Sequence, residues 1–196
     1  RFVAQNKGKM SFPFRRYHIA KVYRGEHAKE ASGRYREFYQ SDIDVIGSNG
    51  NLSLRYDSEF PAIIYNIFRN VIGIDKFVMR INNRKVLEGL FIQHGMTNVD
   101  NIKKAVKIID NMEKVPVETT LEELEKVGLD FDAANSLLMF FNICRYNNPL
   151  IVTTALKSCT FDNPLLTEGI NEIHEVMEGV YANGVPLEFV QFDPSI

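Results

Sequence analysis

Two stretches of alternating character, Arg16 to Arg24 and Arg36 to Ile46, flank the polar run Gly25-Glu26-His27-Ala28-Lys29-Glu30-Ala31-Ser32-Gly33. Alternation with period two marks a strand with one face to solvent, and a polar loop bounded by glycine lets one strand return along the other. A long-looped antiparallel hairpin is therefore predicted, which commits part of the chain to a β layer. Successive side chains of a strand point to opposite faces, so Arg36, Phe38, Gln40, Asp42 and Asp44 share one side and Glu37, Tyr39, Ser41, Ile43 and Val45 the other. The first row sets an aromatic ring, an amide and two carboxylates in line, costly to bury unpartnered and suited to a polar ligand. A solvated edge strand is the plainer alternative. Arg24 ends the first strand and Arg34 opens the second, so two guanidinium forks flank the loop mouth. Such forks grip phosphate oxygens bidentately, and the chain has neither a Walker phosphate loop nor a GxGxxG turn to do so instead.

The rest of the chain punctuates itself. Ser58 is placed to cap a helix with Pro61 in its first turn, ending near Gly73, with Ile63, Ile64, Ile67, Phe68 and Val71 as its buried stripe. A strand is predicted over Lys76 to Ile81. Amphipathic helices then follow over Val86 to Gln93, Val99 to Lys114, Leu121 to Val127, Phe131 to Ile143 and Leu166 to Tyr181. Thr120 and Glu123 form a capping-box pattern, Asn98 precedes another apolar-periodic run, and Gly184 stands where the last helix should stop. Strand character returns from Leu187 to Asp193, with no closing element in view for it to pair with. The fold class is thus α+β, with an all-helical block inserted into a domain whose sheet resumes after it: a core part over 1–83, the helical insertion over 84–185, and a returning core strand over 186–196. Arg1 does not read as a natural start, and the chain is expected to be a segment of a longer one.

Charge is unevenly spread. Residues 1 to 36 hold ten basic and two acidic side chains, leaving 13 and 23 of the totals of 23 and 25 for the remainder. The positive potential therefore gathers around the hairpin, where it can draw in a polyanion. With 45% hydrophobic residues the chain can bury a core, and it contains no apolar run long enough to span a bilayer and no secretory leader, so a cytoplasmic location is expected. Cys144 and Cys159 lack histidines at metal-ligand spacing and read as reduced core thiols.

The hairpin sequence is specific enough to compare. Tyr17-His18-Ile19-Ala20-Lys21-Val22-Tyr23-Arg24-Gly25-Glu26, continued by Gly33-Arg34-Tyr35-Arg36-Glu37-Phe38-Tyr39-Gln40-Ser41-Asp42-Ile43-Asp44-Val45, is similar to motif 2 of the histidyl-tRNA synthetases. Further likeness runs through Asp57-Ser58-Glu59 and Ile81-Asn82-Asn83-Arg84-Lys85-Val86-Leu87-Glu88-Gly89-Leu90, thins in the helices, and returns at Phe192-Asp193-Pro194-Ser195-Ile196. The resemblance implies a class II aminoacyl-tRNA synthetase catalytic core, in part, built on an antiparallel sheet and carrying an inserted helical domain. It implies ATP and Mg²⁺ as cofactors, histidine and histidine tRNA as substrates, and a homodimer. Residue by residue, Arg24 would contact the α-phosphate and stabilise charge there, which makes it the catalytic candidate. Glu26 would recognise the adenine amino edge, Arg34 would hold the γ-phosphate, and Phe38 would stack on adenine. Gln40 would contact the amino-acid end of histidine and Asp44 would accept an imidazole N–H, at a position where the family commonly has a longer acid. No protein side chain is expected to ligate a metal. Motif 1, the histidine-specific loop, motif 3 and the anticodon domain are absent from these residues, so this segment alone is expected to be inactive.

Other candidates read more blandly. His18 is taken as structural or surface, His27 as a loop residue able to touch phosphate or solvent, and His94 and His174 as structural or exposed. Asp42 reads as support for the polar row. Lys103, Lys104 and Lys107 read as a solvated helix face, although the family's insertion reaches the acceptor end of tRNA. Two rival functions share the resemblance: a non-catalytic regulatory subunit of histidine biosynthesis, and a tRNA-binding regulatory module attached to a kinase.

Overall fold

A computed structural model of the protein describes residues 1–25, 31, 33–48, 50 and 52–196. The chain divides into two compact units, 1–56 and 57–196.

The first unit opens with a short helix, α1 (Phe2–Asn6), and is dominated by the predicted hairpin. Strand β1 (Phe14–Tyr23) pairs antiparallel with β2 (Glu37–Ile46). The register sets Arg16 opposite Asp44, His18 opposite Asp42, Ala20 opposite Gln40 and Val22 opposite Phe38. Beyond the strands one more rung forms, where the Arg24 amide donates to the Arg36 carbonyl at 2.8 Å. Since directly opposed residues share a face, this register gathers the whole predicted polar row on one side of the ribbon. The opposite side exposes Tyr17, Ile19, Tyr23 and Tyr39. None of the described residues of this unit is fully buried.

The second unit holds the core. Helix α2 (Arg55–Asn66) passes into a π-helical turn over Ile67–Ile72 and ends at Gly73, whose φ of 82° suits a residue without a Cβ. Two expectations fail here. The oxygen at the helix start belongs to Ser53, which accepts from the Arg55 amide at 3.3 Å, while Ser58 lies inside the helix and is buried, so that Pro61 falls in the second turn. The apolar stripe is also largely uncovered, with Val71 79% exposed and Ile63 and Ile67 exposed as well. The helix instead buries Ser58 against Gly179, where a Cβ on the glycine would come within 2.5 Å of the serine oxygen.

The helical stretch comprises α3 (Arg84–Gln93), α4 (Val99–Ile109), α5 (Val117–Lys126), α6 (Phe131–Tyr146), α7 (Pro149–Ser158) and α8 (Pro164–Ala182). Asn98 caps α4 as expected, accepting from the Asp100 and Asn101 amides. Thr120 does not cap α5: Pro116 precedes that helix, and Thr120 is buried within it. Helix α7 lies in a stretch, between Ile143 and Leu166, for which the sequence pattern predicts no element. α8 is the spine of the unit, packing against α3 and α7 and burying Leu166, Ile170, Ile173 and Met177. Each such side chain contributes roughly 1.5–3 kcal/mol by leaving water. Strands β3 (Met79–Ile81) and β4 (Val190–Phe192) pair in parallel on either side of this stretch in sequence, so β4 does have a partner. Parallel pairing needs a long crossover, and the helices supply it.

Candidate functional site

The polar face of the hairpin is a contiguous array. Arg24 reaches Gln40, its Nη2 donating to Oε1 at 3.3 Å, and its guanidinium carbon lies 5.1 Å from the centroid of the Phe38 ring. Gln40 in turn donates from Nε2 to Asp42 Oδ1 at 2.5 Å. Arginine, phenyl ring, amide and carboxylate are thus linked along one face, and Arg24 contacts two of the other predicted site residues, Phe38 and Gln40. Asp44 occupies the same face further along the strand. Its Oδ2 is closed off from solvent and lies 2.5 Å from Arg16 Nη2, an ionic contact without hydrogen-bond geometry. The two side chains as a whole remain 40% and 43% exposed.

Arg34 is exposed just ahead of β2. Glu26 and His27, expected to serve the loop, lie outside the described residues. His18 faces Asp42 in the register and is exposed. Among the described residues no group of three or more His, Cys, Asp or Glu side chains is placed to hold a metal ion. The array offers a cationic fork beside an aromatic face, then an amide and carboxylates. Chemically, it can bind an anion next to a flat ring and a cationic or N–H donor group beyond it.

Sequence reasoning missed Arg16, because a hairpin with a long loop leaves the register open and only the observed pairing places Arg16 opposite Asp44. It also missed a second polar cluster, in the other unit. There Asp193 is fully buried, and its carboxylate accepts from Arg80 Nε at 2.7 Å, Arg145 Nε at 2.9 Å and Ser195 Oγ at 2.6 Å. Burial alone would push its pKa up, but the hydrogen bonds from Ser195, Arg145 and Arg80 outweigh it and hold the carboxyl below the usual aspartate range. The outer nitrogens of Arg80 form a two-pronged contact with Glu113, and the Arg80 bond holds that carboxyl low as well.

His174 is buried between α7 and α8, its Nδ1 3.2 Å from Thr153 Oγ1, and so is structural. Lys103, Lys104 and Lys107 are exposed on α4. Cys144 is buried as expected, but Cys159 is exposed because it falls just after α7 rather than inside the core. Among the described residues no helix is long and apolar enough to cross a membrane.

A strand-loop-strand ribbon with arginine and aromatic side chains on one face, followed by a helical region, is the architecture of a partial class II aminoacyl-tRNA synthetase core. More narrowly, the chain resembles histidyl-tRNA synthetases along its whole length. Over all 196 residues it is 40% identical to the histidine–tRNA ligase of Clostridium tetani and 38% identical to that of Finegoldia magna. It superimposes over its full length on the crystal structure of histidyl-tRNA synthetase from Nostoc sp. PCC 7120, with a TM-score of 0.85 at 35% identity. An ATP phosphoribosyltransferase regulatory subunit/histidyl-tRNA synthetase from Bacillus halodurans matches with a TM-score of 0.76 at 16% identity, a likeness of fold. The chain spans 43% of the length of the two curated ligases and of the Nostoc structure. No protein-family model matches it.

Proposed function

We propose that this chain is the ATP-gripping and helical part of a histidine–tRNA ligase, which activates histidine with ATP to histidyl adenylate and passes the acyl group to the 3′ end of histidine tRNA. The observation that carries the reading is the linked face of the hairpin, on which Arg24 touches both Phe38 and Gln40. In this reading Phe38 stacks on adenine and Arg24 meets the α-phosphate where negative charge grows as the histidine carboxylate attacks phosphorus. Arg34 holds the γ-phosphate and Glu26 the adenine amino edge. Gln40, oriented by Arg24 and Asp42, meets the amino-acid end of histidine. Asp44 accepts an imidazole N–H, and an apolar competitor would leave that carboxylate unpaired, which is what makes such a contact selective.

No enzyme nucleophile is required, because the substrate carboxylate attacks and pyrophosphate leaves. The residues of this chain position and polarise. Magnesium would arrive on the phosphates of ATP and neutralise their charge, and few protein ligands are needed for an ion that keeps substrate oxygens and water. The parallel pairing of β3 with β4 around the helical stretch supports reading 84–185 as an insertion between core segments 1–83 and 186–196. The intact protein is read as a cytoplasmic homodimer, and the segment alone as inactive for want of the rest of the site.

The regulatory-subunit reading shares the fold, as the Bacillus halodurans likeness illustrates. Identity of 38–40% to histidine–tRNA ligases over the whole chain favours the ligase. The test is histidine-dependent ATP–pyrophosphate exchange by the full-length protein, with Arg24→Ala and Asp44→Ala variants. Arg24→Ala should lower the rate by about 10²–10³, as loss of one charge-stabilising donor does elsewhere. Asp44→Ala should raise KM for histidine. Full activity in both variants would remove these assignments.

A further inference from the structure

The turn that follows β4 is held unusually firmly. Asp193 donates its amide to the Ile81 carbonyl at 3.0 Å, and Asn82 Nδ2 donates to the Ile196 carbonyl at 2.5 Å. Its carboxylate and Ser195 are met by Arg145, which projects from α6: Nε lies 2.9 Å from Asp193 Oδ2, and Nη2 donates to Ser195 Oγ at 2.8 Å. The same Nη2 is 3.0 Å from Glu113, which follows α4 and also grips Arg80 of β3. Two arginines and two carboxylates therefore join the helical stretch to both strands of the parallel pair. Apolar packing alone would hold these elements together but would tolerate sliding, whereas a half-buried fork with fixed donor directions on a buried carboxylate accepts one geometry.

We propose that Arg145 is a positioning residue of the ligase: from the helical stretch it fixes the Asp193–Ile196 turn, and with it the strand pair β3/β4, in one orientation. This rests on the ligase reading above, in which those strands belong to the catalytic core. The two prongs of Arg145 set both Asp193 and Ser195, and a lysine, as a single point charge, can satisfy one of them at a time. A small displacement of a core segment costs rate far more than affinity, because the reaction needs alignment.

The experiment uses the full-length protein bearing this sequence, with Arg145→Gln, Arg145→Lys and Ser195→Ala. Active sites are counted from the burst of histidyl adenylate, and ATP–pyrophosphate exchange is then measured per counted site, beside the thermal midpoint. Expected are a fall in kcat of Arg145→Gln of about ten-fold or more per site with KM for ATP and histidine within about two-fold, partial recovery in Arg145→Lys, and a smaller fall of the same kind in Ser195→Ala. Should Arg145→Gln fail to fold, the other two variants carry the test. Counted sites that turn over at the unsubstituted rate, with only their number or thermal midpoint reduced, would show Arg145 to be a fold contact and overturn the proposal. Absence of histidine-dependent exchange in the unsubstituted protein would instead overturn the ligase reading, and the positioning role with it.

Discussion

Arg16 and Asp44 stand opposite each other across the hairpin, with a guanidinium nitrogen 2.5 Å from the carboxylate. Both side chains are about two-fifths exposed, so the pair adds no more than about 1 kcal/mol to stability. Its consequence is directional: Arg16 decides where the Asp44 carboxylate points. Under the proposed role of Asp44, Arg16→Gln should raise KM for histidine several-fold and leave KM for ATP unchanged, with unfolding free energy in urea shifted by less than about 1 kcal/mol. Equal changes in both KM values would detach Arg16 from the histidine contact.

The glycines of α3 and α8 give a prediction whose sign is the test. In an exposed helix, glycine to alanine stabilises by about 1 kcal/mol. A Cβ on Gly89 would stand 2.8 Å from the Leu166 backbone, and one on Gly169 would stand 2.8 Å from the Val86 amide nitrogen. Backbone on both sides cannot yield, so Gly89→Ala and Gly169→Ala should each destabilise, by about 1–3 kcal/mol. Stabilisation of either variant in a urea titration would mean that the two helices are not so closely packed.

The hairpin was legible because its evidence is local. Period-two alternation puts Phe38 and Gln40 on one face of β2 and sets Arg24 at the loop mouth beside them, whereas a loop this long leaves the register open, and the pairing of the strands is what brings Arg24 onto that face. Helix α7 is masked by Leu150-Ile151-Val152-Thr153-Thr154, in which the four residues after Leu150 are β-branched and mimic a strand. Its signal was the preceding pair Asn148-Pro149, a side-chain cap and a proline at the first position, and Asn148 does accept from the Leu150 and Ile151 amides. The Asp193 cluster had no such signal, since Arg145 and Arg80 are 48 and 113 residues away in sequence. Pairings at that range are a property of packing, and periodicity does not report them. The uncovered stripe of α2 failed for a related reason: amphipathicity says which face seeks cover, and not whether cover is supplied within these residues.

The two cysteines should separate chemically. Burial, with the Asp193 carboxylate adding to it, pushes the Cys144 thiol up to about 12, so almost none is thiolate at neutral pH. Cys159 is exposed. One thiol should therefore react with a maleimide or an aromatic disulfide in the native protein, and two in denaturant. Mass spectrometry of the labelled protein should place the native label on Cys159, and native labelling of Cys144 would contradict its burial.

Acid should release the Asp193 cluster. Because the folded carboxyl titrates below the ordinary aspartate value of 3.8, the unfolded chain binds more protons through the interval between the two. The stability contributed by Asp193 is thus complete above the ordinary value and is lost as pH falls through the lower, folded one. Asp193→Asn keeps the shape but leaves Arg80 and Arg145 without their inner anion, which should cost about 3 kcal/mol near neutrality, as breaking a buried pair does. The difference between the unsubstituted protein and Asp193→Asn should then shrink once the pH drops below about 4, the unfolded aspartate value. Glu172 also titrates low, where bonds from Lys85 and Asn83 outweigh burial, and it is untouched by the variant; Glu113 shares Arg80 and Arg145 with Asp193, so the shrinking difference reads the cluster that Asp193 anchors. Urea unfolding of both proteins at pH 7, 5, 4 and 3 measures it. A difference that stays constant down to pH 3 would mean that the arginines do not hold this carboxylate ionised.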